Sequence, residues 1–146
     1  MKIRTAAALL ALTAPTVAGA AVLQDSATAQ PVTHTAHLVL YETASHNLGR
    51  THFVGTDRVT DAASGRTVGY DTITGHFFPK QKTARIQAAF AFRGGIVVAK
   101  VHLVDGGPKF RGRIVAATGA YDGATGTVSG HEGKGKRTFV TLTWTK

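Results

Sequence analysis

The sequence has no cysteine, so no disulfide can staple the fold and no thiolate metal site can form. Acidic residues are scarce. There are 8 Asp and Glu against 17 Lys and Arg, a formal charge of +9, which favours solubility and anionic partners without specifying one. Long apolar runs are missing too: the stretch from Ala6 to Leu12 is far short of the about 20 residues a membrane-spanning helix needs, and Pro15 interrupts its continuation. Beyond it no segment of ten or more residues carries the periodicity of an amphipathic helix. The 7 histidines show no ligand spacing. His34 and His37 have opposite strand parity, and the others are dispersed, so no metal site is expected. Gly133 to Arg137, GKGKR, lacks the register of a phosphate-binding loop and leads into a strand-like run. No Ser-His-Asp or paired-glutamate hydrolase signature is present, and no cofactor is expected.

At the N-terminus, Lys2 and Arg4 precede the apolar run, and two small-residue sites follow, Ala18-Gly19-Ala20 and Ala27-Thr28-Ala29. This is the layout of a secretory signal peptide. The expectation is a signal peptide over 1–29, a secreted, extracellular domain over 30–146, and no membrane anchor; cleavage before Ala21 is the alternative. Removing 1–29 takes away Lys2, Arg4 and Asp25 and leaves 15 basic against 7 acidic residues.

The rest of the chain alternates strand-like runs with turn signals. Strands are expected near Val32–Thr43, Thr51–Asp61, Arg66–Phe78, Thr83–Arg93, Ile96–Val104, Phe110–Thr118, Gly126–Glu132 and Arg137–Thr145. The connections are mostly short, which implies antiparallel neighbours. The clearest segment is Phe110 to Val128, FRGRIVAATGAYDGATGTV. Phe110, Gly112, Ile114 and Ala116 alternate with Arg111, Arg113, Val115 and Ala117. Thr118-Gly119 and Tyr121-Asp122-Gly123 then supply residues that tolerate positive φ for a reversal. The fold class expected is all-β, an eight-stranded antiparallel β-barrel, with a two-sheet sandwich as its rival.

Strand parity nominates the polar residues that can share an interior. Ala36, Leu38, Leu40 and Glu42 form one face, and Phe53, Gly55, Asp57 and Val59 form another. On the fifth strand Ile96, Val98, Lys100, His102 and Val104 share a face. If these faces all point inward, Glu42, Asp57, Lys100 and His102 converge, and a carboxylate among them can act as acid or base near neutrality. The other arrangement turns Lys100 and His102 outward and gives the lumen Val97, Ala99, Val101 and Leu103. Asp57 can alternatively pair with Arg58 or Arg66. Arg111 and Arg113, with Lys134, Lys136 and Arg137, are candidates for a basic surface patch. Aromatic residues are not interleaved with them as in single-strand nucleic-acid binders, so no specific nucleic-acid partner is expected.

The run from Val115 to Val128 resembles the GGTGxYxGAxGxV hairpin of the allene oxide cyclase and dirigent barrels, with Ala116-Ala117 in place of the opening glycines. LVLYE at Leu38–Glu42, SGRTVG at Ser64–Gly69 and TFVTLTW at Thr138–Trp144 extend the likeness more loosely over most of the chain. The resemblance implies an eight-stranded barrel that assembles as a homo-oligomer, commonly a trimer, and holds a small apolar ligand in its lumen. It places the cyclase glutamate on Glu42, the asparagine on Asp57, the third-strand position near Thr72 or Thr74, and the tyrosine on His102; only the glutamate is kept in kind. The catalytic candidates are therefore Glu42, Asp57 and His102, and the ligand-lining candidates are Phe53, Tyr70, Thr72 and Lys100. The implied activity is isomerisation or cyclisation of a reactive intermediate. A non-catalytic carrier and a cationic extracellular interaction protein are the alternatives.

Overall fold

The computed structural model describes residues 30–104 and 107–146; the expected signal peptide over 1–29 lies outside the described residues. Eight antiparallel strands follow one another around a closed barrel. They are β1 (Thr33–Leu48), β2 (His52–Asp61), β3 (Thr67–Phe78), β4 (Thr83–Phe92), β5 (Gly95–Leu103), β6 (Lys109–Ala117), β7 (Thr125–Glu132) and β8 (Arg137–Thr145), with a short 3-10 turn, η1 (Gly119–Tyr121), between β6 and β7. Thr33 through Tyr41 of β1 pair with Thr145 through Arg137 of β8 and close the ring. A sandwich is thereby excluded, and no strand of the ring is left with a fully open edge.

Closure gives the sheet an inside, and the side-chain period of two decides what fills it. Leu38 and Leu40, Val59, Ala88 and Phe90, Val97, Ala99 and Val101, Ile114, Val128, and Val140 with Leu142 form one continuous buried core. Phe90 and Val128 are fully enclosed within it.

Glycine and aromatic residues are matched across the inner wall. Phe53 is the cross-strand partner of Gly75, and Phe110 is the partner of Gly130. In both cases the ring lies over the glycine, in the space a Cβ would take. The rings thus cover backbone that would otherwise be bare.

Three departures from strict alternation matter. Between Glu42 and Ala44 the register against β2 shifts, so Thr43 is an extra residue. Its hydroxyl bonds Thr56 Oγ1 at 2.8 Å and donates to the Thr56 carbonyl at 2.7 Å. Beyond it β1 continues to Leu48, five residues past the expected end, because Ala44 to Leu48 still pair with β2. Their exposed, mixed composition hides that strand from a periodicity reading. A second shift, between Val98 and Ala99 against β6, makes Val115 the extra residue; Ala117 then faces Val97, and Ala116, expected to share the face of Ile114, is exposed. A third lies between Val59 and Thr60. At the expected reversal, Gly119 and Gly123 do adopt positive φ, 62° and 76°.

The glycine and aromatic pairing is directly testable. Gly75→Ala should cost about 1–3 kcal/mol of stability by overpacking, read by urea denaturation, and most of that loss should vanish in a Phe53→Ala background. An equal loss in both backgrounds would show that the two residues do not share the space.

Candidate functional site

Three acidic side chains lie in one cross-strand row on the inner wall. Glu42 of β1 is opposite Asp57 of β2, and Asp57 is opposite Asp71 of β3. The row continues to Phe90 on β4. Exposure falls along it: about 33% of the Glu42 side chain reaches solvent, whereas Asp57 is 8% and Asp71 only 2% exposed. The sequence brings two of these residues forward through parity. Asp71 was missed there, although the signal existed: Gly69, Asp71, Ile73 and Gly75 alternate with Tyr70, Thr72 and Thr74.

The three carboxyls differ in what surrounds them. Lys136 Nζ donates to Glu42 Oε1 at 2.9 Å, and Ser45 Oγ donates to the same oxygen at 3.0 Å. These bonds hold Glu42 below the usual carboxylate range. Burial pushes Asp57 up; a hydrogen bond with Asp71 opposes that rise and the nearby charge of Glu42 adds to it. Burial pushes Asp71 up to about 8, with the charge of Asp57 as the next cause. Among the described residues no N–H or hydroxyl donor satisfies either Asp71 oxygen. A buried carboxyl without donors that faces a second carboxyl keeps its proton. The pair is thus a buried acid at neutral pH, connected through Glu42 to solvent.

The lumen opens at the end where Val32 and Lys146 meet. There Val32 and Lys146 exchange backbone bonds, and Lys146 Nζ donates to the Ala120 carbonyl at 2.9 Å. A cavity of about 170 Å³ is framed by Ala36, Leu38, Phe92, Val97, Tyr121 and Trp144, with Asp61 and Val68 also on its wall. The aromatic frame is continuous: Phe92 lies 5.7 Å from Tyr121, Tyr121 meets Trp144 edge-on at 6.0 Å, and His34 stacks on Trp144 at 5.3 Å. Asp61 is engaged locally, accepting from Ser64 N–H at 2.7 Å and Ser64 Oγ at 2.6 Å, which holds its carboxyl low. Phe90 stacks on Phe92 at 6.0 Å and separates this cavity from Asp71, its cross-strand partner.

The remaining site candidates divide by face. Phe53 is inside, lying over Gly75 rather than lining the cavity. Tyr70 and Thr72 flank Asp71 and, having opposite parity, stand outside; Tyr70 is 59% exposed. Lys100 and His102 are exposed as well, because Val97, Ala99 and Val101 take the inner face of β5. His102, Lys100, Tyr70 and Thr72 therefore do not join Glu42 and Asp57; in the row Asp71 stands third.

The buried pair makes stability depend on pH with a defined sign. Asp71 binds its proton up to about pH 8 when folded, against about 4 when unfolded. Its contribution is fully present below the unfolded value and is lost as pH rises through 8, with a slope of at most about 1.4 kcal/mol per pH unit. Denaturation midpoints measured from pH 5 to 8.5 should fall, and Asp71→Asn should flatten the curve. An unchanged slope in Asp71→Asn would sink the assignment.

No family model and no curated protein matches this sequence. Solved structures do. A pyocyanin demethylase superposes with a TM-score of 0.62 at 19% identity, over 77% of this chain and 99% of the other. A nonspecific heme-binding cyclase that catalyses a 4 + 2 cycloaddition during neoabyssomicin biosynthesis gives 0.60 at 17% identity, over 77% of this chain and 64% of that one. The Diels Alderase AbmU from Streptomyces koyangensis gives 0.58 at 15% identity, over 82% of this chain and 71% of its own. At these identities the likeness establishes a shared fold: this chain has the barrel of those proteins.

Proposed function

We propose that this barrel binds a small, flat, uncharged molecule in the cavity beside Trp144. The observation that carries the reading is the aromatic frame of Phe92, Tyr121 and Trp144 around about 170 Å³ of space. An apolar cavity of about 150 Å³ suffices to hold benzene, and ring faces give a planar ligand stacking surfaces. The cycloaddition and small-molecule chemistry named for the similar barrels supports the reading.

Asp71 favours a second reading, isomerisation or cyclisation of the allene oxide cyclase and dirigent type. A protonated Asp71 would donate to an oxygen on which charge develops, while Asp57 would accept a proton released elsewhere on the same molecule. The pair then returns to its starting state with no net oxidation or reduction. Glu42 would hold the row's charge and connect it to solvent. Exclusion of water and confinement of the intermediate would supply much of the rate. The ligand must displace Phe90 to touch Asp71, so binding and turnover are separable.

Trp144 is the single tryptophan and reports on the cavity directly. Titration with toluene or indane should shift its fluorescence saturably, and Ala36→Leu, which fills the cavity, should abolish the shift. A response unaltered by Ala36→Leu would place the ligand elsewhere. Once a substrate is found, Asp71→Asn should lower turnover about 100-fold or more while leaving ligand affinity within about threefold; unchanged turnover would leave the carrier reading.

We propose also that the chain self-associates through the outer wall near Tyr70, Ala91 and Ile96, neighbours across β3, β4 and β5. Ile96 and, on β6, Val115 are 43% and 40% exposed, an apolar surface that a second copy would cover. Light scattering should give an oligomer for the 30–146 domain and a monomer for Ile96→Lys; a monomeric parent would refute the contact.

A further inference from the structure

The charges of this barrel are sorted by face. Glu42, Asp57 and Asp71 point inward, and the strand registers leave no Asp or Glu on the outer face of any strand. The outer face carries a ladder of bases. His52 of β2 is opposite His76 of β3, His76 is opposite Arg85 of β4, Arg85 is opposite His102 of β5, and His102 is opposite Arg111 of β6. One step along the strands, Lys100 is opposite Arg113. These side chains line one outer groove of about 1070 Å³.

Several features argue that this ladder holds a ligand. Neighbouring strands are about 4.8 Å apart, so the five-strand row spans roughly 19 Å. Lys100 and Arg113 face each other directly, and like charges so placed are destabilising. Among the described residues the one ion pair is Lys136 with Glu42, and none joins a carboxylate to the ladder's four Arg and Lys residues. His52 and His76 lie with ring centroids 4.1 Å apart, and Arg85 sits 5.3 Å over the ring of Phe78, which orients the row's first members. A self-contact through this face would oppose base to base, so a second copy is not its partner.

We propose that this groove binds a linear, base-free phosphate polymer, with successive phosphates laid across the strands from His52 to Arg111. Arginine presents paired donors that match phosphate oxygens, and lysine adds a point charge. The lining contains no Phe, Tyr or Trp, so the stacking platforms by which proteins hold single-stranded nucleic acid are missing from it. A polymer without bases fits the groove as it stands. The inference is independent of the lumen and its ligand.

The test is fluorescence anisotropy of the 30–146 domain with end-labelled inorganic polyphosphate, about 20 phosphates long, across a salt series. Binding should weaken at least about tenfold between 50 and 200 mM salt. Arg85→Gln with Arg111→Gln and Arg113→Gln should lose at least about tenfold in affinity, whereas Lys134→Gln with Arg137→Gln, on the turn before β8 and at its first residue, should lose less than about threefold. The pair Lys100→Gln with Arg113→Gln repeats the test should the triple variant melt early. Equal losses in ladder and turn variants would reduce the effect to net charge and overturn the site. Tighter binding of a single-stranded oligonucleotide or of heparin than of polyphosphate would overturn the assigned chemistry, and absence of binding at 50 mM salt would overturn the proposal outright.

Discussion

Pairing of β1 with β8 is the constraint on which the rest of the molecule depends. Without it the eight strands would form an open sheet with two faces of similar standing. With it, one face loses water, and the period of two becomes a rule about burial. Leu38, Val59, Phe90 and Val140 then meet in a single core. The absence of cysteine leaves stability to this pairing and packing alone. The glycines opposite Phe53 and Phe110 belong to the same logic, since a narrow barrel can enclose large rings only where the facing wall has no side chain.

Closure also separates the charges. A buried carboxyl must lose its charge or gain a partner, and Asp57 and Asp71 meet that demand through each other. The arrangement costs stability at high pH, where the shared proton is lost, and a purely structural core would be better served by apolar residues. Buried acids with displaced proton affinity occur at functional sites and in structural networks alike. Phe90 stands between this acid row and the Trp144 cavity.

Much of this was legible in the chain. The alternation through Phe110–Ile114, the turn at Gly119 and Gly123, and the order of eight strands are local properties, and the barrel reproduces them. Parity likewise put Glu42 and Asp57 on inner faces. It left β5 undecided, because Val97, Ala99 and Val101 are as apolar as Ile96 and Val98, and only the neighbours on β4 and β6 choose between them. The residues extra to the ladder, Thr43 and Val115, were invisible for a related reason: a shift by one residue changes no composition, yet it reverses every side chain beyond it.

What the sequence determined by itself was the class of fold, the lack of disulfides, and an excess of basic residues, because each follows from composition or from period within a few residues. What only the tertiary structure decided was which residues meet. Glu42, Asp57 and Asp71 become one row, and His52, His76, Arg85, His102 and Arg111 another, through registers between strands far apart in the chain. Register is set by closure and by irregularities in the ladder, and those are properties of the assembled sheet.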